Sequence, residues 1–305
     1  MVEVHRTPSE RFEGLVPAAV DVGRRQVEVD GTQLELAHME AGPSDAHPVV
    51  LLHGEPTYSY LWREVIPPLV EAGLRVVAPD LVGFGRSDKP TDPAWYSHDR
   101  LGAALAAHLD AVVPGPLTLV VHDWGGLLGL PWAVEHAERV ERLVLTDTGL
   151  YTSGGFPSEA WARFKRFVER TEDLPISFLV DGGVTRELTE EEKAAYDAPF
   201  DTIASKAGAR ALPLLVPLAD DDDGAQRLLA TRRELAEWHT PTLVLWGAAD
   251  TILPTHMGQR FAELIPGCVG FEPIEGAHHF LQEDAGPQLG QRIARFVAEV
   301  EPHER

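Results

Sequence analysis

The sequence contains no asparagine, only one cysteine and no apolar run of 18 residues. Without asparagine there is no N-glycosylation acceptor and no Asn amide to serve in an active site. The lone Cys268 rules out an internal disulfide and a thiolate metal cluster, and reads as a small buried hydrophobe. Lacking a long apolar run, the chain is not expected to cross a membrane. Met1 to Glu13 is charged and has no apolar signal core, which gives the expectation of a cytoplasmic, reducing location. Basic residues are also scarce: 26 Lys+Arg against 48 Asp+Glu leave a net charge of −22. A chain this acidic repels phosphate backbones and anionic lipid, so neither nucleic acid nor a membrane is an expected partner. What is present is ordinary for a folded protein, with 44% hydrophobic and 24% charged residues, and disorder is excluded.

Several motifs are missing as well. Gly83-Phe84-Gly85 lacks the third glycine of a dinucleotide fingerprint, and no Walker lysine follows a glycine-rich loop. There is no His-Glu-x-x-His pair, so a zinc hydrolase is not expected. No Gly-x-Ser-x-Gly is present, which removes the usual serine hydrolase reading.

Short apolar runs alternate with longer amphipathic stretches. Gln26–Asp30 and Gln33–Met39 flank Asp30-Gly31, a two-residue hairpin signal. Strands are then expected at Pro48–Leu52, Arg75–Ala78, Leu117–Val121, Arg142–Thr146, Thr242–Trp246 and Val269–Ile274. The middle ones are continuously apolar, as strands buried on both faces are. Helices are expected at about Leu61–Ala72, Arg100–Val112, Gly125–His136, Met257–Leu264 and Gln288–Val300. This alternation predicts an α/β fold with a mostly parallel central sheet and helices on both faces. One block breaks the pattern. Residues 150–236 carry helical stretches at Ser158–Arg170, Thr189–Tyr196 and Gly224–Glu237 and no convincing strand, with a capping box at Thr189 and Glu192. The expected organisation is a core of residues 1–149 and 237–305 with a helical cap, or lid, inserted at 150–236. Asp220–Asp223 reads as a solvated loop, since the spacing of a calcium loop is missing.

Val121-His122-Asp123-Trp124-Gly125-Gly126 stands where a strand runs into a helix through a tight turn. That is nucleophile-elbow geometry with aspartate as the exposed residue. A carboxylate attacks carbon without prior deprotonation. Taken alone, Asp123 reads first as a cap on the following helix. Asp250 follows the strand Thr242–Trp246, however, and His279 follows Val269–Ile274. Nucleophile, acid and histidine in this order, each beyond a strand's C-terminal end, is the α/β-hydrolase arrangement. His53-Gly54-Glu55-Pro56 follows Pro48–Leu52, where a backbone N–H can complete an oxyanion hole.

These residues, with Ser59-Tyr60-Leu61-Trp62-Arg63, Gly83–Pro90, Ala194–Phe200 and His279-Phe280-Leu281-Gln282-Glu283, run nearly the whole chain. Together they resemble the haloalkane dehalogenases, subfamily I above all. The resemblance implies the α/β-hydrolase fold and a small neutral haloalkane, water and halide as reaction partners, with no metal or other cofactor. Asp123 would displace halide to give an alkyl ester, and His279, oriented by Asp250, would activate the water that hydrolyses it. The backbone N–H groups of Glu55 and Trp124 would hold the oxyanion, and the Trp124 indole would hold the halide. The pocket would be lined by Leu127, Phe156, Leu212, Pro213, Val216, Ile252 and Leu253. A monomer or weak oligomer is expected.

The pattern departs in the cap. A Phe-x-x-Trp usual in subfamily I reads Trp161-Ala162-Arg163-Phe164, so Phe164 stands at the halide-binding position and Trp161 one turn away. Either Trp161 presents its indole to the halide or it packs the cap. Asp147, at the end of Arg142–Thr146, is an alternative acid, with Asp250 preferred; His278 reads as a neighbour of the site. The rival enzymes are an Asp-nucleophile α/β-hydrolase acting on another leaving group and an epoxide hydrolase, which needs two cap tyrosines where this chain offers Tyr151 and Tyr196 and none in 206–215. A non-catalytic binding module is the other alternative, although binding alone needs none of Asp123, Asp250, His279 and Trp124.

Overall fold

The computed structural model describes residues 2–150 and 158–302. Two long strands, β2 (Val20–Val29) and β3 (Thr32–Ala41), follow a short β1 (Val4–His5). They pair antiparallel from Val29↔Thr32 outward, and the turn needs positive φ at both Asp30 (47°) and Gly31 (73°). The α/β alternation follows: β4 (Pro48–Leu52), α1 (Ile66–Glu71), β5 (Arg75–Pro79), a short β6 (Lys89–Pro90) and α2 (His98–Val112). Then come β7 (Leu117–His122), α3 (Trp124–Glu135) and β8 (Val140–Thr146).

After β8 the described residues form only helices: α4 (Glu159–Arg170), α5 (Ile176–Asp181), α6 (Glu190–Asp197), α7 (Ala207–Leu215) and α8 (Ala225–Leu235). The chain then returns through β9 (Thr242–Gly247), α9 (His256–Leu264), β10 (Cys268–Ile274) and α10 (Leu281–Glu299). The main sheet has the order β10-β9-β8-β7-β4-β5-β3-β2, while β1 and β6 pair separately. Strands β4, β5, β7, β8, β9 and β10 are parallel to their neighbours in this series, and β3 meets β5 antiparallel.

Successive residues of the central strands feed opposite faces. Val50, Leu52, Leu119 and Val121 join one apolar cluster with α2 and α3; Val49, Leu51, Val120 and Val144 join another with α1 and α10. Burial on both faces is why these strands read as unbroken apolar runs.

Several expected elements differ. The helix expected at Leu61–Ala72 is a single 3₁₀ turn, Ser59–Trp62, followed by α1, with Pro67 and Pro68 in the first turn of α1, where no N–H is needed. The helix expected from Gln288 begins at Leu281, and Ala285 (φ −143°, ψ 29°) breaks it just ahead of Pro287. Helices α5 and α7 were not expected at all. Ser158 is the cap of α4, its hydroxyl accepting the Trp161 N–H at 2.9 Å, and the Thr189–Glu192 capping box is formed. Cys268 is half-buried at the start of an edge strand, not enclosed.

An ionic cluster around the buried Glu283 ties the helical block to α10 and the turn before α1. Glu283, at the start of α10, has no exposed side-chain surface; Arg63 Nη2 donates to it at 2.8 Å and Arg186 Nη2 at 2.6 Å. The Tyr196 hydroxyl and Arg63 Nη1 donate to its other oxygen. Arg63 also reaches Glu192 at 2.8 Å, which Arg186 grips with two bonds of 2.7 Å.

Candidate active site

Asp123 lies between β7 and α3 with φ 48° and ψ −120°, a backbone state that costs about 1–3 kcal/mol for a non-glycine residue. Neighbouring bonds hold it there. Its N–H donates to the Asp147 carbonyl at 3.1 Å, and its own carbonyl accepts from Gly126 N–H at 2.8 Å and the Thr148 hydroxyl at 2.7 Å. The turn also needs two glycines. A Cβ on Gly125 would sit 2.3 Å from the Leu52 carbonyl oxygen, and one on Gly54 would sit 2.3 Å from the Asp123 side chain.

The Asp123 carboxylate is fixed on one side by the Glu55 N–H, 2.9 Å from Oδ1, and by the Trp124 N–H. On the other side, Oδ2 stands 3.7 Å from His279 Nε2. Burial pushes the Asp123 carboxyl up from its ordinary value; His279 and the two N–H donors oppose this without cancelling it. Glu55 is buried beside it, and burial together with the Asp123 charge holds its carboxyl well above the carboxylate range.

The His279 imidazole is packed against His122 and Phe280, at ring distances of 5.0 and 4.9 Å. Its Nδ1 lies 2.9 Å from Asp250 Oδ2, while Asp250 Oδ1 accepts from the Ile252 and Leu253 N–H groups at 2.7 and 3.0 Å. Burial disfavours the imidazolium, but the charge and hydrogen bond of Asp250, with the Asp123 charge, outweigh it and raise the His279 pKa. Burial likewise opposes ionisation of Asp250, and His279 reverses it, so Asp250 is held below its ordinary value. Asp147 makes no bond to His279; its carboxyl accepts the Gly247 N–H at 3.0 and 3.1 Å and faces Asp250. His278 turns outward to Thr251, at 3.1 Å.

A cavity of about 370 Å³ opens over these groups. Asp123, Trp124, Glu55 and His279 form its floor, with Leu127, Ile252 and Leu253 beside them. Trp161 and Phe164 of α4, Phe178 and Leu179 of α5, Pro213 and Val216, and Leu228 of α8 complete the wall. Leu212 was expected here, but it is fully buried in the core: on α7 it points away from the face that carries Pro213. Phe156 lies outside the described residues, as does Tyr151. Sequence reading missed His256, Met257 and Arg260, which line the opening from one face of α9; their spacing of one helical turn is the only local signal. It also missed His98, whose ring stands 5.1 Å from the Trp124 indole while its Nε2 lies 3.1 Å from the Leu215 carbonyl oxygen. The Tyr196 hydroxyl is bonded to Glu283, away from the cavity.

Asp147, Asp250 and His279 bring metal-type donor atoms within 4.8 Å of one another. Their carboxylate oxygens are already engaged by Gly247, Ile252, Leu253 and His279, so an ion here would have to displace those bonds. The arrangement is a hydrogen-bond relay ending on an imidazole beside a restrained carboxylate. It suits covalent attack by Asp123 followed by base-assisted hydrolysis.

Comparison with known proteins places the chain among relatives. The model of the alpha/beta hydrolase fold matches residues 47–286. The haloalkane dehalogenase of Mycobacterium marinum is 40% identical over 298 residues, 96% of this chain and 99% of that protein. That of Psychrobacter cryohalolentis is 35% identical over 300 residues, 97% of this chain and 98% of that protein. Among solved structures, the tetrameric haloalkane dehalogenase DpaA from Paraglaciecola agarilytica superposes with a TM-score of 0.85 at 33% identity, covering 95% of this chain and 97% of that one.

Proposed function

The chain belongs to the haloalkane dehalogenases of the α/β-hydrolase fold, and from that premise we propose that Asp123 is its nucleophile. The enzyme hydrolyses carbon–halogen bonds, taking a haloalkane and water to an alcohol and a halide. The observation that carries the assignment is the asymmetry around Asp123. Asp123 lines the cavity; its Oδ1 is bonded by the Glu55 N–H, whereas Oδ2 stands 3.7 Å from His279 Nε2, too far for a hydrogen bond. A serine nucleophile would need the imidazole to take its proton; a carboxylate does not.

Oδ2 attacks the halogen-bearing carbon in line. The C–O bond forms as the carbon–halogen bond breaks, and the halide leaves with the bonding pair. Trp124 offers its indole N–H to the departing anion. Trp161, which also lines the cavity, supplies the second indole that Phe164 cannot. Alkylation neutralises Asp123 and so removes one of the charges that raise the His279 pKa. More of His279 is then in the neutral form, free to take a proton just when a base is needed. It takes a proton from water, whose oxygen attacks the ester carbonyl carbon, while the Glu55 and Trp124 N–H groups hold the oxyanion. Collapse expels the alkoxide, which takes the proton from His279 to leave as alcohol. Asp123 loses the remaining proton to solvent. Asp250 steadies the imidazolium throughout.

Residues 150–236 serve as the cap over a core of 1–149 and 237–305, since α4, α5, α7 and α8 face the floor across the cavity. A cavity walled by Leu127, Phe164, Pro213, Val216, Ile252 and Leu253 suits small uncharged haloalkanes. A cytoplasmic enzyme, monomeric or weakly associating and without a nucleic-acid or membrane partner, completes the proposal; its net charge of −22 supports the last point. No helix among the described residues is long and apolar enough to cross a membrane.

The test is bromide release from 1-bromobutane and 1,2-dibromoethane. Release by the wild type and none above background by Asp123→Ala is expected. Release by Asp123→Ala at the wild-type rate, or a wild type that hydrates styrene oxide and frees no bromide, would reject the assignment.

A further inference from the structure

Three aspartates, Asp123, Asp147 and Asp250, crowd one imidazole, and the relay described above uses only two of them. Asp147 has no solvent exposure, follows β8 with a positive φ of 31°, and brings a carboxyl oxygen within 4.8 Å of donor atoms on both Asp250 and His279. Two bare carboxylates at that separation in a dry site repel strongly, so the pair is expected to retain a proton.

The surroundings decide which partner holds it. Asp250 has three donors: the Ile252 and Leu253 N–H groups on Oδ1, and His279 Nδ1 on Oδ2. Asp147 has one, the Gly247 N–H, shared between its two oxygens at 3.0 and 3.1 Å. A carboxylate with several N–H donors is stabilised as the anion, and one with a single shared donor is not. The charged or titratable groups facing Asp147 are Asp250, Asp123 and the His279 ring. His122, in ring contact with His279, is held neutral by burial. Among the described residues, the candidate cation, His279, is thus already paired with Asp250.

We infer that Asp147 is a positioning residue that stays protonated and donates its O–H to Asp250, so that the buried pair carries one negative charge. The inference rests on the assignment of His279 as base and Asp250 as its partner. Burial and the Asp250 charge both push the Asp147 carboxyl well above its ordinary value, in the direction this requires. The retained proton takes no part in the reaction; its effect is on strength. With both carboxylates ionised, the imidazolium would be held so firmly that His279 would be a poor base at neutral pH. With a single charge, shared with the Asp147 O–H, Asp250 orients the ring without trapping its proton.

The experiment compares Asp147→Asn with Asp147→Ala in the full-length enzyme. An Asn side chain accepts the Gly247 N–H through its oxygen and donates N–H to Asp250, mimicking the protonated acid. Asp147→Asn is therefore expected to keep kcat within about twofold and to leave the acid limb of the pH–rate profile in place. Asp147→Ala removes the donor, leaves Asp250 more basic and moves the acid limb to higher pH, with kcat down about tenfold. The wild-type minus Asp147→Asn infrared difference spectrum should show the C=O stretch of a protonated carboxyl. A carboxylate band there instead, or an acid limb that falls by about 1 unit or more in Asp147→Asn, would overturn the inference, because removing a true anion beside His279 lowers its pKa. Failure of the underlying assignment looks different: His279→Phe would still turn over bromide, whatever the infrared band shows.

Discussion

Two groups of buried carboxylates, joined by the few residues from His279 to Glu283, handle charge in opposite ways. On the cavity floor Glu55 and Asp123, and behind it Asp147, are all pushed up by burial, and the groups that stabilise Asp123 and Asp147 are backbone N–H groups and, for Asp123, one imidazole. In the clamp at the base of the helical block, Glu192 and Glu283 meet the guanidinium groups of Arg63 and Arg186. There the Arg186 hydrogen bonds hold Glu192 down to about 2. A matched cation makes a carboxylate inert: stable, charged and a poor nucleophile. The floor withholds that match. Its carboxylates stay reactive and sensitive to protonation, and backbone strain at Asp123 is held in place by its neighbours. The clamp can be read as the stabilising half of the same design, since it fixes both α6 and the helix that begins beside His279.

The comparison can be broken from either side. The largest effect is expected at the nucleophile, where Asp123→Asn removes the attacking charge and should abolish bromide release in a short assay while leaving the denaturation midpoint close to wild type or above it. Next, Glu283→Gln leaves the buried Arg63 guanidinium and the part-exposed Arg186 short of a charge and should cost about 3 kcal/mol of unfolding free energy in urea titrations. An unchanged midpoint would remove the clamp from the account. Third, Trp161→Phe should weaken bromide binding about 10- to 100-fold, the worth of one hydrogen bond to an anion, read by quenching of Trp fluorescence. Unchanged affinity would make Trp161 a packing residue. The smallest effect is at Glu192. Its folded pKa lies below the ordinary value, so its contribution is present above about pH 4.5 and is lost as pH falls toward 2. Glu192→Gln should thus be less stable at pH 7, on the order of 1 kcal/mol after solvent screening, and the gap to wild type should close as the pH is lowered through that window. A gap that persists at acid pH would assign the loss to packing.

The same contrast explains what could be read in the sequence. The floor is written locally: Asp123, Asp250 and His279 each follow an apolar strand, and the fold brings strand ends together by rule. The hairpin at Asp30-Gly31 was legible because a two-residue turn demands positive φ and so selects its residues. The clamp has no local signature, since Arg63 and Glu283 are 220 positions apart. Helix α7 was hidden by Pro213, and α5 is only six residues long, too short for a helical period to stand out. The cavity wall was half legible for the same reason. Leu127 and Pro213 face it, whereas the rotation of α7 that buries Leu212 is set by packing against residues distant in sequence.

The most direct test of a covalent Asp123 intermediate is mass spectrometry of His279→Phe after incubation with 1-bromobutane. Without its base the enzyme should complete the first step and stall, so that the intact protein gains one butyl group and the peptide containing Asp123 carries it. A variant that gains no mass while releasing bromide through many turnovers would contradict both the ester and the role of His279.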